Sequence, residues 1–148
     1  MIIEIQRTLY TTLANSTALA NLLADAVGLD GQTINLPAIY DRPPQPVFAE
    51  DFDYFPYVTI GDNTTGEFDT DDSNGFDSQC FIYTYTREGG RAQNIAIQQV
   101  IYNLLHKADL TMNAGHAVMI YQAQMRVDVD PDGKTYQGVQ TFRFVTEQ

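Results

Sequence analysis

From Ala117 to Val145 the chain reads as two runs of period two joined by one turn, and no other feature narrows the fold so far. In the first run Ala117, Met119, Tyr121, Ala123, Met125, Val127 and Val129 take alternate positions, with Gln122, Gln124, Arg126 and Asp128 between them. Successive side chains of a strand point to opposite faces, so this spacing predicts a half-buried β-strand. The second run, TYQGVQTFRFV over 135–145, is rich in the β-branched and aromatic residues that suit a pleated surface. Between them DPDGK places Pro131 where a type I turn takes its second residue and Gly133 where a bulge needs positive φ. Two strands joined by so short a turn pair antiparallel.

The same stretch imitates half of a calcium loop. Asp128, Asp130, Asp132 and Gly133 stand where an EF-hand loop places its first three oxygen ligands and its glycine. The closing position, which needs a bidentate Glu, holds Val139, and the flanks are strands where an EF-hand has helices. A second acidic stretch, GDNTTGEFDTDDSNG, carries Asp62, Glu67, Asp69, Asp71 and Asp72, with Asp77 just beyond it. It reads as a mobile acidic loop that is solvated or that repels something negative. No ligand spacing in it is complete, so the expectation is no metal and no cofactor, with a divalent-cation-binding module as the alternative.

The remaining elements follow from periodicity. Ile2, Ile5, Leu9 and Leu13 recur at helical spacing, and Ser16 or Thr17 offers an N-cap to a second helical stretch ending at Gly28. AIYDRPP at 38–44 holds a short strand before its prolines. FPYVTIGD (55–62) and FDSQCFIYTYT (76–86) are two further strands, the latter with Phe81, Tyr83 and Tyr85 on one face. After REGG, Ile97, Val100, Ile101, Leu104, Leu105 and Ala108 mark an apolar stripe on a helix from Arg91 to Ala108, with Arg91, Gln98, Asn103 and Lys107 off it. The order predicts an α+β fold: a mainly antiparallel sheet of four to five strands, two helices on one face and a long C-terminal hairpin, all within one domain over 1–148.

Composition removes several functions. A net charge of −11, with only eight scattered Lys and Arg, excludes binding to nucleic acid through its phosphates. No signal peptide is expected, since MIIEIQRTLY alternates apolar with polar and charged residues, and no apolar run approaches membrane-spanning length. The single cysteine, Cys80, lies in an apolar run and reads as a packed thiol. His106 and His116 have no ligand partners at metal spacing and read as solvated. There is no nucleophile motif, P-loop or dinucleotide fingerprint, so the chain is not expected to be an enzyme.

The two N-terminal amphipathic turns, AIYDRPP, FPYVTIGD, FIYTYTREGGR leading into the helix, and the hairpin VDVDPDGKTYQGVQTFRF together resemble the tail-terminator, or tail-completion, proteins of long-tailed bacteriophages and gene transfer agents. The resemblance spans nearly the whole chain. It implies a structural subunit of the virion tail at the head–tail junction, assembled in the host cytoplasm. Such subunits form a ring, typically a hexamer, that caps the head-proximal end of the tail tube, stops its polymerisation and joins the tail to the head. The implied partners are further copies of itself, the tail tube protein and a head-completion or neck protein, with DNA passing through the lumen without specific binding and no membrane contact. The partner-facing candidates are Arg126, Asp130, Asp132, Lys134 and Tyr136, with Asp62, Glu67, Asp69, Asp71 and Asp72 in the acidic loop or lumen. The hairpin is long enough to pair along its edge with a neighbouring subunit.

Overall fold

In the computed structural model of the protein, the residues described are 2–23, 39–40, 56–67, 75–87, 90–107, 111–112, 115–131 and 133–147. Along the chain they form α1 (Ile2–Ala14), α2 (Thr17–Leu22), β1 (Ile39–Tyr40), β2 (Tyr57–Glu67), β3 (Gly75–Thr86), α3 (Gly90–Leu105), β4 (Thr111–Met112), β5 (Gly115–Val129) and β6 (Tyr136–Glu147). The strands make one sheet in the order β1-β2-β3-β6-β5-β4. Its four long strands are antiparallel and β1 joins β2 in parallel, so the α+β, mainly antiparallel architecture holds. Two further strands, β1 and β4, are two residues each.

Parity decides what is buried. β6 pairs with β3 through twelve consecutive residues with no shift, from Gly75 opposite Glu147 to Thr86 opposite Tyr136. Along this pair Ser78, Cys80, Ile82 and Thr84 meet Phe144, Phe142, Gln140 and Gly138 on one face, and all four β3 side chains are fully buried. Against that face lie Ile97, Ile101 and Leu105 of α3, with Ile5, Leu9 and Leu13 of α1 and Leu19 of α2 completing the core. Burying each such Leu, Ile or Phe contributes about 1.5–3 kcal/mol, which makes this face the main source of stability.

The helices end and begin for local reasons. Ser16 caps α2, its hydroxyl accepting from the Leu19 N–H at 3.2 Å. That cap splits the N-terminal region into two helices, while Gly28, expected as the terminator, lies outside the described residues. α3 closes at Leu105, and Lys107 turns the chain with φ 58°, the left-handed value common after a helix C-terminus. Its N–H then donates to the Ile120 carbonyl at 2.6 Å, and the Gln122 N–H donates to His106 Nδ1 at 3.1 Å. The end of α3 thereby covers the margin of β5 beyond the reach of β4. His106 is half-buried and stacks on Tyr102 at 4.5 Å, so it is a packed residue and the expectation of a solvated histidine fails.

Three sequence readings are corrected here. The strands 55–62 and 76–86 run on to Glu67 and back to Gly75, so Asp62 and Glu67 belong to β2 and only residues 68–74 join the two strands. Gln98, placed off the stripe of α3, is fully buried with Asn94 one turn before it. The unbroken alternation of 117–129 is interrupted: β5 gains an extra residue at Val118 and another at Ala123. At each bulge two residues oppose one, so the parity of the buried set inverts. Ile120 and Gln122 therefore share a face with Met125, Val127 and Val129.

Candidate functional site

The end of the hairpin is built by its turn. Asp130 N–H donates to the Thr135 carbonyl at 2.8 Å, and Gly133 N–H donates to the Asp130 carbonyl at 2.9 Å. The second bond closes a four-residue turn with Pro131 at its second position. Gly133, at φ 70°, turns the chain back where a side chain would be strained. This is the turn that DPDGK predicts. Arg87, leaving β3, ties the turn to the sheet by donating from Nε to Thr135 Oγ1 at 3.0 Å.

The tip candidates divide between the two faces. Tyr136 opposes Val129 on the helix face, with the Arg91 guanidinium 5.6 Å from its ring centroid. Arg126 opposes Val139 on the other face, 3.3 Å from the Asp128 carboxylate. Both partners of that ion pair are more than half exposed, which leaves it worth at most a few tenths of a kcal/mol to about 1 kcal/mol and free to exchange partners. Lys134 is exposed in the turn and Asp130 is half-buried at its base. Asp132 lies outside the described residues.

Towards the other end of the sheet the acidic residues separate. Asp62 and Glu67 are strand residues, while Asp69, Asp71 and Asp72 lie outside the described residues. Asp77 on β3 is paired with Arg143 on β6: Arg143 Nε donates to Asp77 Oδ1 at 2.8 Å and the second arm of the guanidinium reaches Oδ2. That hydrogen bond holds the Asp77 carboxyl below its usual range, with the Arg143 charge acting the same way and partial burial opposing them. Among the described residues, no group of three or more His, Cys, Asp or Glu comes together as a metal ion would require.

A polar layer under α3 supports the hairpin, and the apolar stripe gave no sign of it. Gln98 Nε2 donates to the Arg126 carbonyl at 3.1 Å, and Gln140 Nε2 donates to the Gln98 carbonyl and to Gln122 Oε1, each at 2.9 Å. Asn94 Nδ2 faces the carbonyls of Thr84 (2.9 Å) and Tyr136 (3.2 Å) and the Thr86 hydroxyl (3.3 Å). These amides tie α3 to β3, β5 and β6 directly behind the tip. The available signal was the parity of β6, where Gly138 and Gln140 occupy the same alternate positions as Phe142 and Phe144. On the opposite face Tyr57 and Tyr85 stack at 4.8 Å and Gln137 Nε2 donates to the Tyr85 hydroxyl at 3.1 Å. The tip thus presents exposed Arg126, Asp128 and Lys134 beside half-buried Asp130 and Tyr136 on a frame anchored on both faces, an arrangement suited to contact with another surface.

The sequence matches the family model described as tail completion protein gp17 over residues 7–147. No curated protein matches it. Among solved structures, the fold is similar to that of a chain in the virion of a native gene transfer agent particle. The TM-score is 0.78 at 20% sequence identity, and the match covers 99% of this chain and 97% of that chain.

Proposed function

The chain belongs to the tail completion protein gp17 family and is a structural component of the virion tail, and from that premise we propose that it forms a ring, of six copies, capping the head-proximal end of the tail tube. In this reading the ring stops tube polymerisation and joins the tail to the head through a neck protein, and the whole of 1–148 acts as one domain without enzymatic activity. The observation that carries the reading is the family match over 7–147, which takes in both the hairpin and the frame that anchors it. Arg126, Asp130, Asp132, Lys134 and Tyr136 are the candidate partner-binding set, and Asp62, Glu67, Asp69, Asp71 and Asp72 are the candidates for the lumen or acidic loop.

The sheet supports a head-to-tail contact between copies. Among the described residues, β1 covers β2 only at Val58 and Thr59, and the margin of β5 is covered by β4 and the end of α3 only as far as Gln122. Two different edges, at opposite sides of one sheet, suit the heterologous interfaces from which closed rings are made. Six copies of a −11 chain around a conduit would also keep passing DNA from adhering to its wall.

The test is deletion of the gene with complementation, scored by electron microscopy. Overlong tails, or tails unjoined to heads, are expected, and normal virions with tails of normal length would overturn the proposal. Lys134→Glu in the complementing copy should cost assembly, measured by light scattering, more than it costs the folding of the separated subunit.

A further inference from the structure

We propose that the polar layer between α3 and the sheet is a binding site for ordered water, enclosing water molecules that donate to the side-chain oxygens of Thr84, Asn94, Gln98 and Gln140. Those four residues are fully buried, and Thr84 Oγ1, Asn94 Oδ1, Gln98 Oε1 and Gln140 Oε1 have no hydrogen-bond partner among the described residues. Buried polar atoms in native proteins are almost always paired, with protein or with ordered water, so four in one layer call for a ligand.

Turning the amides over does not supply the missing partners. The Asn94 amide nitrogen faces three oxygen acceptors, the Gln140 nitrogen two and the Gln98 nitrogen the Arg126 carbonyl. Exchanging oxygen for nitrogen in any of them would set an acceptor against acceptors. The four residues are also neighbours. Asn94 and Gln98 stand one turn apart on α3, and the amides of both lie over Gly138, where a methyl group would meet Asn94 Oδ1 and Gln98 Nε2 at 2.2 Å each. Thr84 is the register partner of Gly138, and Gln140 follows two residues along the same face.

The chemistry of the set selects water over an ion. The three amide oxygens only accept, and the Thr84 hydroxyl both accepts and donates, so the ligand must donate to the amides or be a cation. A cation would be taken from bulk water into a layer of neutral oxygens, with none of the four residues carrying a compensating negative charge, and such burial is strongly unfavourable. Water donates to the amide oxygens and also accepts from the Thr84 hydroxyl, with no charge to compensate.

The test uses the full-length protein labelled with 15N at Asn and Gln side chains, and reads water-to-amide ROE and NOE cross-peaks. Cross-peaks of opposite sign in the two experiments, the mark of long-lived bound water, are expected at the side-chain amides of Asn94, Gln98 and Gln140. Their absence while the amides are protected from solvent exchange would show that the layer pairs with itself, and would overturn the proposal. So would movement of the same resonances when sodium chloride is replaced by choline chloride, which would identify a bound cation. Oxygen-17 relaxation dispersion gives a second measurement, whose long-lived component should fall in Gln140→Met if that variant folds. The wild-type cross-peaks decide the matter whether or not it does.

Discussion

Replacing Gly138 by alanine probes the polar layer with a single methyl group. That methyl would lie 2.2 Å from Asn94 Oδ1, 2.2 Å from Gln98 Nε2 and 2.9 Å from Gln98 Cδ, so both amides must move. Neither moves without loss, because both are fully buried and bonded to main-chain carbonyls on three strands. Displacing Gln98 strands the Arg126 carbonyl and displacing Asn94 strands those of Thr84 and Tyr136, at about 1–3 kcal/mol for each buried group left unpaired. The unfolded chain loses freedom with the added Cβ, which returns about 0.4–1 kcal/mol. The net expectation is a loss of at least about 2 kcal/mol. The assay is urea unfolding at fixed chain concentration, since assembly would otherwise shift the midpoint. Gly66→Ala is the control, because a methyl there meets only the Asp77 carbonyl at an ordinary 3.9 Å, so the variant should be neutral or more stable by up to about 1 kcal/mol. If the two variants lie within about 0.5 kcal/mol of one another, the amides of α3 do not rest on Gly138 and the reasoning about the layer fails.

Ile101→Ala should cost about 2–5 kcal/mol in the same assay, since it truncates a fully buried side chain at the centre of the α3 stripe. For Asp77 the folded carboxyl holds its proton less tightly than the unfolded one, so its contribution is complete above the ordinary carboxylate range and is lost as pH falls through the lower, folded-state value. Stability measured against pH should therefore fall less steeply in the acid range for Asp77→Asn than for wild type, and parallel curves would refute the pairing with Arg143. Cys80 is fully buried, and burial pushes its thiol up to about 12, so the folded protein should resist a disulfide reagent at pH 8 and react at once in denaturant. Calcium titration by calorimetry should be flat both for wild type and for the double variant Asp128→Asn, Asp130→Asn, and a micromolar site lost in the variant would restore the calcium-loop reading.

Elements governed by local rules were legible in the sequence. The turn at Asp130–Gly133 follows from proline and glycine chemistry, the Ser16 cap from its hydroxyl, and the Ile97–Ile101–Leu105 stripe from helical spacing. What was hidden depends on partners distant in sequence. Gln98 is polar and read as outward, and only the carbonyl of Arg126, 28 residues away, gives its amide a reason to be buried. The parity inversions at Val118 and Ala123 are set by what β6 presents, so strict alternation overextended one face of β5. The tip candidates were found as a group because they adjoin one turn, but their division between two faces required the register.

The bulges also set how this domain can change length over evolutionary time. β5 carries two residues more than its pairing with β6 requires, so a single-residue deletion near Ala123 can be absorbed by straightening the bulge, with every neighbouring side chain keeping its face. β6 has no such slack against β3, where twelve residues match twelve. One residue lost or gained in its middle would turn every side chain between that point and the tip to the opposite face, taking Gln140 away from α3 and setting Val139 or Thr141 in its place. Length variation among relatives should therefore accumulate in β5 and in the turn, while β6 changes by substitution alone.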